Sequence, residues 1–409
     1  MKLLQVSSTL NTSAIGRIAE EIGQMAMQRG YESYVAYSHL GMQGSKLNAI
    51  KIGNKMDVYA HGMQTRLFDR HGYGSKTATH RLIRQIQQIN PDVIGIHNVH
   101  GYYLNMEIFF NYLKVARKPV IYTLHDCWSF TGHCSYFDFV DCDRWKTGCF
   151  DCPSKKAYPA SWFIDRSKTN YAEKQVIFNG VDNLTIVTPS EWLAKLVKQS
   201  FLSGYPIQVI NNGVNTSVFR PIVSSDIREK YGIGDKKMIL GVAYIWSHRK
   251  GLNEFIELSK LIPDNYVIFL VGLSSGQIAQ LPPNIKGIAR TENVEELAML
   301  YATADVFINP TWQDNFPTTN LEALACGTPV ITYNTGGSPE AVDEHTGIVV
   351  GKGDIEGLIK AINAFLTQPK EQLKEACRQR ALDLYKKEDA NDRYLKLYEK
   401  MLQKQTTKF

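Results

Sequence analysis

The sequence predicts an α/β protein of two domains, each built around a doubly wound parallel sheet. The chain has 409 residues, which is more than one compact core usually holds. In both halves, short apolar runs that end in polar or Gly-rich turns alternate with amphipathic segments of helical period, a pattern typical of parallel α/β sheets. The pattern restarts after a polar stretch between residues 200 and 225, where we expect the domain boundary. The composition, 44% hydrophobic and 21% charged, is ordinary for a globular protein.

The first half alternates strands and helices from its beginning. LLQVSS predicts a buried strand rather than a signal peptide, residues 15–30 predict a helix, and YESYVAYS predicts the next strand. Residues 55–76 are polar and rich in Gly and His, and they predict a long loop with short helices. Residues 161–179 predict a helix. Further strands are predicted at PDVIGIHNVH, PVIYTLHD and NLTIVTPS, and a helix capped by Ser190 at EWLAKLVKQSFL.

The second half repeats this alternation after the polar linker SSDIREKYG. MILGVAYIW, NYVIFLVG and IKGIA predict strands, and SHRKGLNEFIELSKLI and VEELAMLYATA predict turn and helix segments. The stretch NPTWQDNFPTTNLEALACGTPVIT, residues 309–332, is the most informative part of the chain. It predicts the end of a strand, a loop, a helix that stops at Gly327 and a new strand.

Two acids and two cations in this half are candidates for binding chemistry. Asp314 lies in the predicted loop, and Glu322 lies eight residues later, inside the helix and among apolar neighbours. A carboxylate in apolar surroundings needs a partner such as sugar hydroxyls or a cation; the alternative is a solvated helix residue. Arg249 and Lys250 precede a helix start beside Gly251. Cations next to free helix N–H groups favour a diphosphate site, and a solvated basic turn is the alternative.

Polar residues in the first half follow the predicted strands at their carboxyl ends, where open α/β sheets bind ligands. The turn TSAIGR follows the first strand, His97, Asn98 and His100 follow PDVIGI, and His125 follows PVIYTL. For each histidine, a hydrogen-bonded residue at the rim of the site is the alternative to a role in binding.

Residues 309–332 resemble the E-x7-E region of the retaining GT-B glycosyltransferases, the family of sucrose synthases and bacterial polysaccharide glycosyltransferases (glycosyl transferases group 1). Asp314 stands in place of the first Glu of that motif, and Glu322 in place of the second. The resemblance implies two Rossmann-like domains that face each other across a cleft. It implies an acceptor domain over residues 1–205, a nucleotide-sugar domain over 206–388, and a helix over 389–409 that returns to the first domain.

The resemblance also implies functional roles. The residues implied in catalysis are His125, Asp314, Arg249 and Lys250. Those implied in substrate binding are Gly16, Arg17, His97, Asn98, His100, Arg290, Thr291, Pro317, Thr318, Thr319 and Glu322. The family pattern has an Arg several residues before its Lys-Gly pair, which is missing here, and Arg249 is the candidate substitute.

The activity implied is the transfer of a hexose-type sugar, with retention of anomeric configuration and without a divalent metal. The donor is expected to be a UDP-sugar, with a GDP-sugar as the alternative, and the acceptor a saccharide or a lipid-linked sugar in cell-surface polysaccharide synthesis. An epimerase or phosphorylase on the same scaffold is one alternative function. A non-catalytic binding protein, or a redox protein that works through its thiols or a metal, is another.

Five of the seven cysteines fall in a predicted insertion over residues 127–152, and the candidates for metal binding are the last four, Cys134, Cys142, Cys149 and Cys152. A CxxC pair with two further thiols nearby suits a structural zinc ion. Free or redox-active thiols and disulfides are the alternatives, and the expected cytoplasmic location disfavours disulfides.

Charge is distributed unevenly along the chain. The net charge is +6 overall, with +7 on residues 1–203 and −1 on residues 204–409. A basic first half suits contact with the anionic inner face of a membrane or with an anionic acceptor; a basic surface without a partner is the alternative. Lys and Arg do not alternate with aromatic residues in dense runs, so nucleic acid is not a predicted partner. No run of about 18 apolar residues predicts a membrane span.

Overall fold

The computed structural model describes residues 1–38, 44–222 and 226–406, and it divides into two compact units. One unit contains Met1–Asn211 and the chain from Ala390 onward, and the other is Asn212–Asp389. Each unit has its own parallel sheet, of seven and six strands respectively. The prediction of two Rossmann-like α/β domains is therefore confirmed. Residues 224–225 of the predicted linker and 407–409 of the predicted final segment lie outside the described residues.

The first unit has the strand order β3-β2-β1-β4-β5-β6-β7. Its strands are β1 (Lys2–Ser7), β2 (Glu32–Ser38), β3 (Asn48–Ile52), β4 (Val93–Ile96), β5 (Val120–Thr123), β6 (Leu184–Thr188) and β7 (Ile207–Val209). Its helices before Asn211 are α1 (Ala14–Gln28), α2 (Lys55–Phe68), α3 (Lys76–Ile89), α4 (Met106–Ala116), α5 (Ser167–Phe178) and α6 (Glu191–Lys198). Strands β4, β5 and β6 are buried throughout, as expected for parallel strands covered on both faces.

The second unit has the strand order β10-β9-β8-β11-β12-β13. Its strands are β8 (Lys237–Val242), β9 (Tyr266–Val271), β10 (Ile285–Ile288), β11 (Val306–Asn309), β12 (Val330–Tyr333) and β13 (Gly347–Val350). Its helices are α7 (Asp226–Lys230), α8 (Leu252–Ser259), α9 (Ser275–Ile278), α10 (Val294–Thr303), α11 (Thr318–Ala325), α12 (Ile355–Leu366) and α13 (Lys370–Leu384). The last helix of the chain is α14 (Lys387–Thr406).

The part of α14 beyond Ala390 belongs to the first unit. Tyr394, Leu397 and Tyr398 are buried in one core cluster with Leu3 of β1. Gly95 of β4 makes room for this helix, because a Cβ atom there would lie 2.7 Å from the hydroxyl oxygen of Tyr398. Within the described part of the chain, no helix is both long and apolar enough to cross a membrane.

Two of the predicted elements are wrong in detail. Residues 55–68 form the 14-residue helix α2, which begins with a capping box between Asn54 and Asp57, and not a long loop. Its buried side carries His61 and Thr65 beside Val58, so hydrophobic periodicity could not reveal it. The helix predicted over residues 161–179 begins only at Ser167.

Each sheet has one point where its strand order reverses, between β1 and β4 in the first unit and between β8 and β11 in the second. In open α/β sheets the loops after the carboxyl ends of these strands form the ligand site. Gly16 and His97 follow β1 and β4, and Lys250 and Asp314 follow β8 and β11. Most of the predicted site residues therefore lie at the two reversal points.

Candidate functional site

The loops after β8 and β11 bring the predicted cations and the first acid of the second unit together. Nζ of Lys250 donates a hydrogen bond to Oδ2 of Asp314, and both side chains are largely shielded from solvent. Nη1 of Arg249 donates to the carbonyl oxygen of Gln313 at 3.1 Å. Arg249, Lys250 and Asp314, which are 65 positions apart at most in the sequence, thus share one site.

Gly251 allows the two loops to touch. Its φ is +82°, and a Cβ atom there would lie 2.3 Å from the carbonyl oxygen of Pro310. The backbone N–H of Trp312 donates to the carbonyl oxygen of Arg249 at 2.9 Å, and this bond joins the loops a second time. A side chain at residue 251 would force the basic dipeptide away from Asp314, because both its backbone conformation and its space favour glycine.

Helix α11 begins four residues after Asp314, and Pro317 is its N-cap. The Pro317 side chain makes no capping hydrogen bond, and the first N–H groups of a helix have no partner inside the helix. The amides at Thr318 and Thr319 therefore favour an anion near Lys250 and Asp314.

A buried polar network that the sequence did not reveal fixes α11 on its sheet. Nδ2 of Asn309 donates to Oδ1 of Asn320 at 2.8 Å, and Nδ2 of Asn320 donates to Oγ of Ser338 at 3.0 Å. The hydroxyls of Ser338 and Thr332 are 2.6 Å apart. Asn320 was the signal for this network in the sequence. A polar side chain at a buried helix position needs hydrogen-bonding partners.

Glu322 lies one helical turn after Thr318 and is half-buried. Its Oε2 accepts a hydrogen bond of 3.0 Å from the hydroxyl of Tyr301. Burial and the neighbouring carboxylate raise the pKa of Tyr301 well above its ordinary value, so the phenol keeps its proton and remains a donor to Glu322. The acid in apolar surroundings therefore has a protein partner, which orients its carboxylate.

Arg290 and Thr291 lie apart from this cluster. They follow β10, which is an edge strand separated from β8 by β9. Two strand spacings place the end of β10 about 10 Å from the end of β8. The Arg290 side chain is exposed.

At the reversal point of the first unit, His97 is completely buried between Gln5 and His125. Its Nε2 donates to Oε1 of Gln5 at 2.9 Å, and Nε2 of Gln5 donates in turn to the carbonyl oxygen of Ala19 at 2.7 Å. The rings of His97 and His125 stack with their centroids 5.8 Å apart. Burial lowers the pKa of His97 to about 3 and that of His125 to about 4, so both rings are neutral at pH 7.

His100 is a buried member of a polar cluster. Its Nε2 lies 2.8 Å from Oδ2 of Asp126, and its Nδ1 lies 3.1 Å from the hydroxyl of Tyr158. Burial alone would raise the pKa of Asp126, but His100 and the backbone N–H of Trp128 outweigh that effect, and the pKa falls below its ordinary value. Both ring nitrogens of His100 are thus engaged by the protein itself.

The other predicted residues of the first unit lie close to its loops. Gly16 sits in the first turn of α1, where a Cβ atom would lie 2.6 Å from Oγ1 of Thr9. Arg17 is exposed. Asn98 is buried, and its carbonyl oxygen accepts a hydrogen bond from the hydroxyl of Tyr103.

The four clustered cysteines Cys134, Cys142, Cys149 and Cys152 line one pocket. All are free thiols, and Sγ of Cys149 accepts a hydrogen bond of 3.1 Å from the N–H of Gly132. A hydrogen bond from the Cys134 thiol lowers the pKa of Cys152 to about 7. Across the described residues, no three His, Cys, Asp or Glu side chains are arranged to hold a metal ion. The thiols share one pocket, and structural zinc stays a prediction.

Comparison with known proteins identifies the family. The model of the glycosyl transferases group 1 matches residues 223–383, and that of Glycosyltransferase Family 4 matches residues 15–218. The chain belongs to the group 1 glycosyltransferases. The first match covers the loops of Lys250 and Asp314, so the charged cluster lies within the part of the chain that carries the family pattern.

Relatives of this glycosyltransferase include WcaC of Escherichia coli strain K12, which is named after colanic acid biosynthesis and glycosyl transfer. It is 26% identical over 88% of this chain and 90% of WcaC. A GDP-mannose-dependent phosphatidylinositol monomannoside mannosyltransferase of Mycolicibacterium smegmatis is 29% identical over 47% of this chain and 55% of that enzyme.

Solved structures share the fold of this glycosyltransferase. The sucrose-phosphate synthase of Thermosynechococcus elongatus has a TM-score of 0.71 at 16% identity and covers 98% of this chain and 99% of its own. HepE of Anabaena, in complex with UDP, has a TM-score of 0.69 at 16% identity and covers 98% of this chain and all of its own. These likenesses extend over both units and establish the GT-B fold.

Proposed function

We propose that this glycosyltransferase moves a hexose-type sugar from a nucleotide-diphosphate sugar to a saccharide or lipid-linked acceptor, with retention of anomeric configuration. The observation that carries the proposal is the contact of Lys250 with Asp314 beside the start of α11. This arrangement places a cation, helix amides and a carboxylate where a parallel α/β sheet binds ligands.

The chemistry requires stabilisation of a leaving group. When the bond from the anomeric carbon to the phosphate oxygen breaks, negative charge grows on the β-phosphate. Lys250, Arg249 and the amides at Thr318 and Thr319 are the groups proposed to accept that charge, because donors held in place before the reaction stabilise it most effectively. These groups take the part that a divalent cation plays elsewhere, so metal-independent catalysis is part of the proposal.

The Lys250–Asp314 ion pair gives the cation a resting partner. A bound diphosphate would compete with the Asp314 carboxylate for Lys250, since each is an anionic acceptor for the same ammonium group. Asp314 would then be released to accept hydrogen bonds from hydroxyls of the donor sugar. Pairing in the absence of donor keeps Lys250 oriented and lowers the cost of ordering its long side chain on binding.

Glu322 is proposed to bind the ribose hydroxyls of the donor, held in orientation by the hydroxyl of Tyr301. His125 is proposed to contact the donor sugar as a neutral hydrogen-bonding ring. Same-face attack by the acceptor, with the leaving phosphate as the base, needs no protein nucleophile. His97 and His125 therefore do not have to change their charge for the reaction.

The relatives' names support the proposed donor and acceptor classes. HepE was solved with UDP-glucose and the mycobacterial enzyme is named as GDP-mannose-dependent, so a UDP-sugar is proposed first and a GDP-sugar second. Several relatives are named for polysaccharide or lipid products. These names, with the basic first half of the chain, support cytoplasmic polysaccharide synthesis next to the inner membrane face. The epimerase and phosphorylase alternatives gain no support from these relatives.

A panel of UDP- and GDP-sugars tests the proposal. Each sugar is first added to the protein while its thermal unfolding is followed, and release of the nucleoside diphosphate is then measured with lipid-linked and soluble acceptors, with and without EDTA. We expect one nucleotide class to raise the Tm, EDTA to leave turnover unchanged, and the product to keep the anomeric configuration of the donor by NMR. An inverted product, or turnover that requires inorganic phosphate, contradicts it.

A further inference from the structure

One face of α2 exposes large apolar side chains to solvent. Met56, Tyr59 and Met63 are 74%, 66% and 43% exposed, and their spacing of three and four residues places them on one side of the helix. Val58 and Thr65 occupy the opposite, buried side. The exposed side of this helix therefore carries more large apolar side chains than its buried side.

The loop before α5 continues the same surface. Trp162 and Phe163 are 51% and 71% exposed, and Ile164 is also exposed. The N–H of Trp162 donates to the carbonyl oxygen of Arg66 at 2.8 Å, and the Arg66 guanidinium lies 5.8 Å from the centre of the Trp162 ring. Since Arg66 follows Met63 by three residues, it joins the helix face to the loop.

We call this area the aromatic patch and define it as the α2 face of Met56, Tyr59, Met63 and Arg66 together with residues 162–164. A contiguous patch of exposed aromatic and aliphatic side chains on a folded protein marks an interaction site.

The charge around the aromatic patch selects its partner. Residues 55–70 and 153–168 contain seven Lys and Arg against three Asp. All three acids are already engaged. Asp57 belongs to the capping box of α2, buried Asp69 lies 2.6 Å from Nδ1 of His133, and Asp165 accepts from the N–H of Cys152 at 2.6 Å. With these acids counted at full charge, the two segments that carry the patch have a net charge of +4.

We infer that the aromatic patch docks on the surface of an anionic lipid bilayer. Trp and Phe side chains enter the boundary between headgroups and acyl chains, and the surrounding Lys and Arg side chains bind anionic headgroups. The inference deepens the proposed function, on which it rests for the lipid-linked acceptor, by assigning the membrane contact to a defined surface. The occupant is a bilayer rather than a protein, because exposed aromatic side chains on segments of net positive charge match an anionic interface.

Vesicle sedimentation of the full chain tests the inference. The probes are vesicles of phosphatidylcholine alone and vesicles with about 30% phosphatidylglycerol. We expect binding to the anionic vesicles, and we expect high salt to weaken it because the attraction of surface charges is screened. The double variant W162S/F163S should lose binding by roughly tenfold or more, since it removes two interfacial aromatic anchors. Arg66→Glu should weaken binding to the anionic vesicles only.

Matched controls separate the patch from general effects. Y244S/I245S removes two side chains of the second unit that are 92% and 67% exposed, and Lys360→Glu reverses an exposed charge on α12; both should bind vesicles as the parent chain does. The far-UV CD spectrum and Tm of W162S/F163S should match those of the parent, because both side chains lie on the surface.

Two results overturn the inference. One is unchanged vesicle binding by W162S/F163S. The other is concentration-dependent dimerisation, seen by light scattering, that W162S/F163S abolishes while vesicle binding stays absent in the parent; the patch then covers a second copy. The assay contains no donor sugar, so its outcome is independent of whether the proposed sugar transfer occurs.

Discussion

The reversal points of the two sheets differ in electrostatic character although their topology is alike. In the second unit the loops carry an ion pair, Lys250 with Asp314, whose side chains are 24% and 17% exposed. In the first unit, His97 follows β4 at the reversal point and stacks on His125, which follows the neighbouring strand β5. Both rings are neutral because burial lowers their pKa values to about 3 and 4. One sheet therefore ends in charge and the other in neutral hydrogen-bonding rings.

This difference matches the two tasks proposed for the two units. Binding a diphosphate requires cations and helix amides, and the second unit supplies them. Neutral rings suit sugar hydroxyls, which carry no charge, and burial of the rings keeps them neutral at pH 7. We call the loops of the second unit the charged side and those of the first unit the neutral side. The predictions below test whether charge is essential on the charged side and neutral rings on the neutral side.

The largest effect is expected from removing the cation of the charged side. Lys250→Ala should lower kcat/KM by roughly 10²- to 10³-fold, as loss of a donor to a developing oxyanion does, and Lys250→Arg should recover part of it. Lys360→Ala, on the exposed side of α12, is the control. Initial rates of nucleoside diphosphate release measure both. Near-parental turnover by Lys250→Ala would contradict the role of the Lys250 cation in stabilising the leaving diphosphate.

Gly251→Ala tests whether the charged loops must touch. The substitution places a Cβ atom 2.3 Å from the carbonyl oxygen of Pro310 at a φ of +82°, and we expect a loss of about 1–3 kcal/mol in unfolding free energy together with lower activity. Gly276→Ala is the matched control, because its Cβ atom would meet nothing within 4 Å. Urea titrations compare the two. Equal stability of both variants would show that the loops relax without cost.

Glu322→Gln sharpens the assignment of the second acid. A hydrogen bond to a charged group contributes about 1.5–3 kcal/mol, so the Kd for the nucleoside diphosphate should rise by about tenfold or more. Tyr301→Phe removes the hydroxyl that donates to Glu322 and keeps the carboxylate, so its effect on Kd should be smaller. Calorimetric titration of both variants shows whether the Glu322 carboxylate itself binds the nucleoside diphosphate or whether the Tyr301–Glu322 pair only supports the packing of the site.

The smallest effect concerns the neutral side and appears as a pH dependence of stability. The folded pKa of His97 is about 3 and its ordinary value is 6.5, so between these limits only the unfolded chain binds the proton. Stability is fully present above about pH 6.5 and falls with decreasing pH, by up to about 1.4 kcal/mol per pH unit for each such histidine.

His97→Asn should therefore flatten this slope between pH 5 and 6, even though it also removes buried ring atoms. Urea titrations at several pH values give the slope, and hydrogen exchange should locate the acid-sensitive amides in the first unit. The histidines of the second unit, His248 and His345, are exposed and serve as the internal reference. An unchanged slope in His97→Asn would mean that His97 is protonated in the folded chain.

Local sequence patterns were sufficient for much of the architecture. The apolar runs at β4, β5, β6 and β11 are buried strands of parallel sheets, because such runs fit only strands covered on both faces. The positions of Lys250, Asp314 and Thr318 followed from the same runs, since ligand loops come directly after strand ends. Helix α2 was missed because its inward side is partly polar: His61 accepts from the N–H of Gly72 at 3.0 Å, a contact that periodicity does not encode.

The sequence by itself determined which residue types stand at the ends of the strands, because hydrophobic period and chain order fix the strands and their direction. Only the tertiary structure decided how those residues pair. The pairing of His100 with Asp126, of Tyr301 with Glu322 and of Asn309 with Asn320 depends on how separate strands, loops and helices pack against one another. Burial and hydrogen-bond geometry, which set charge states and orientation, arise from that packing and not from local composition.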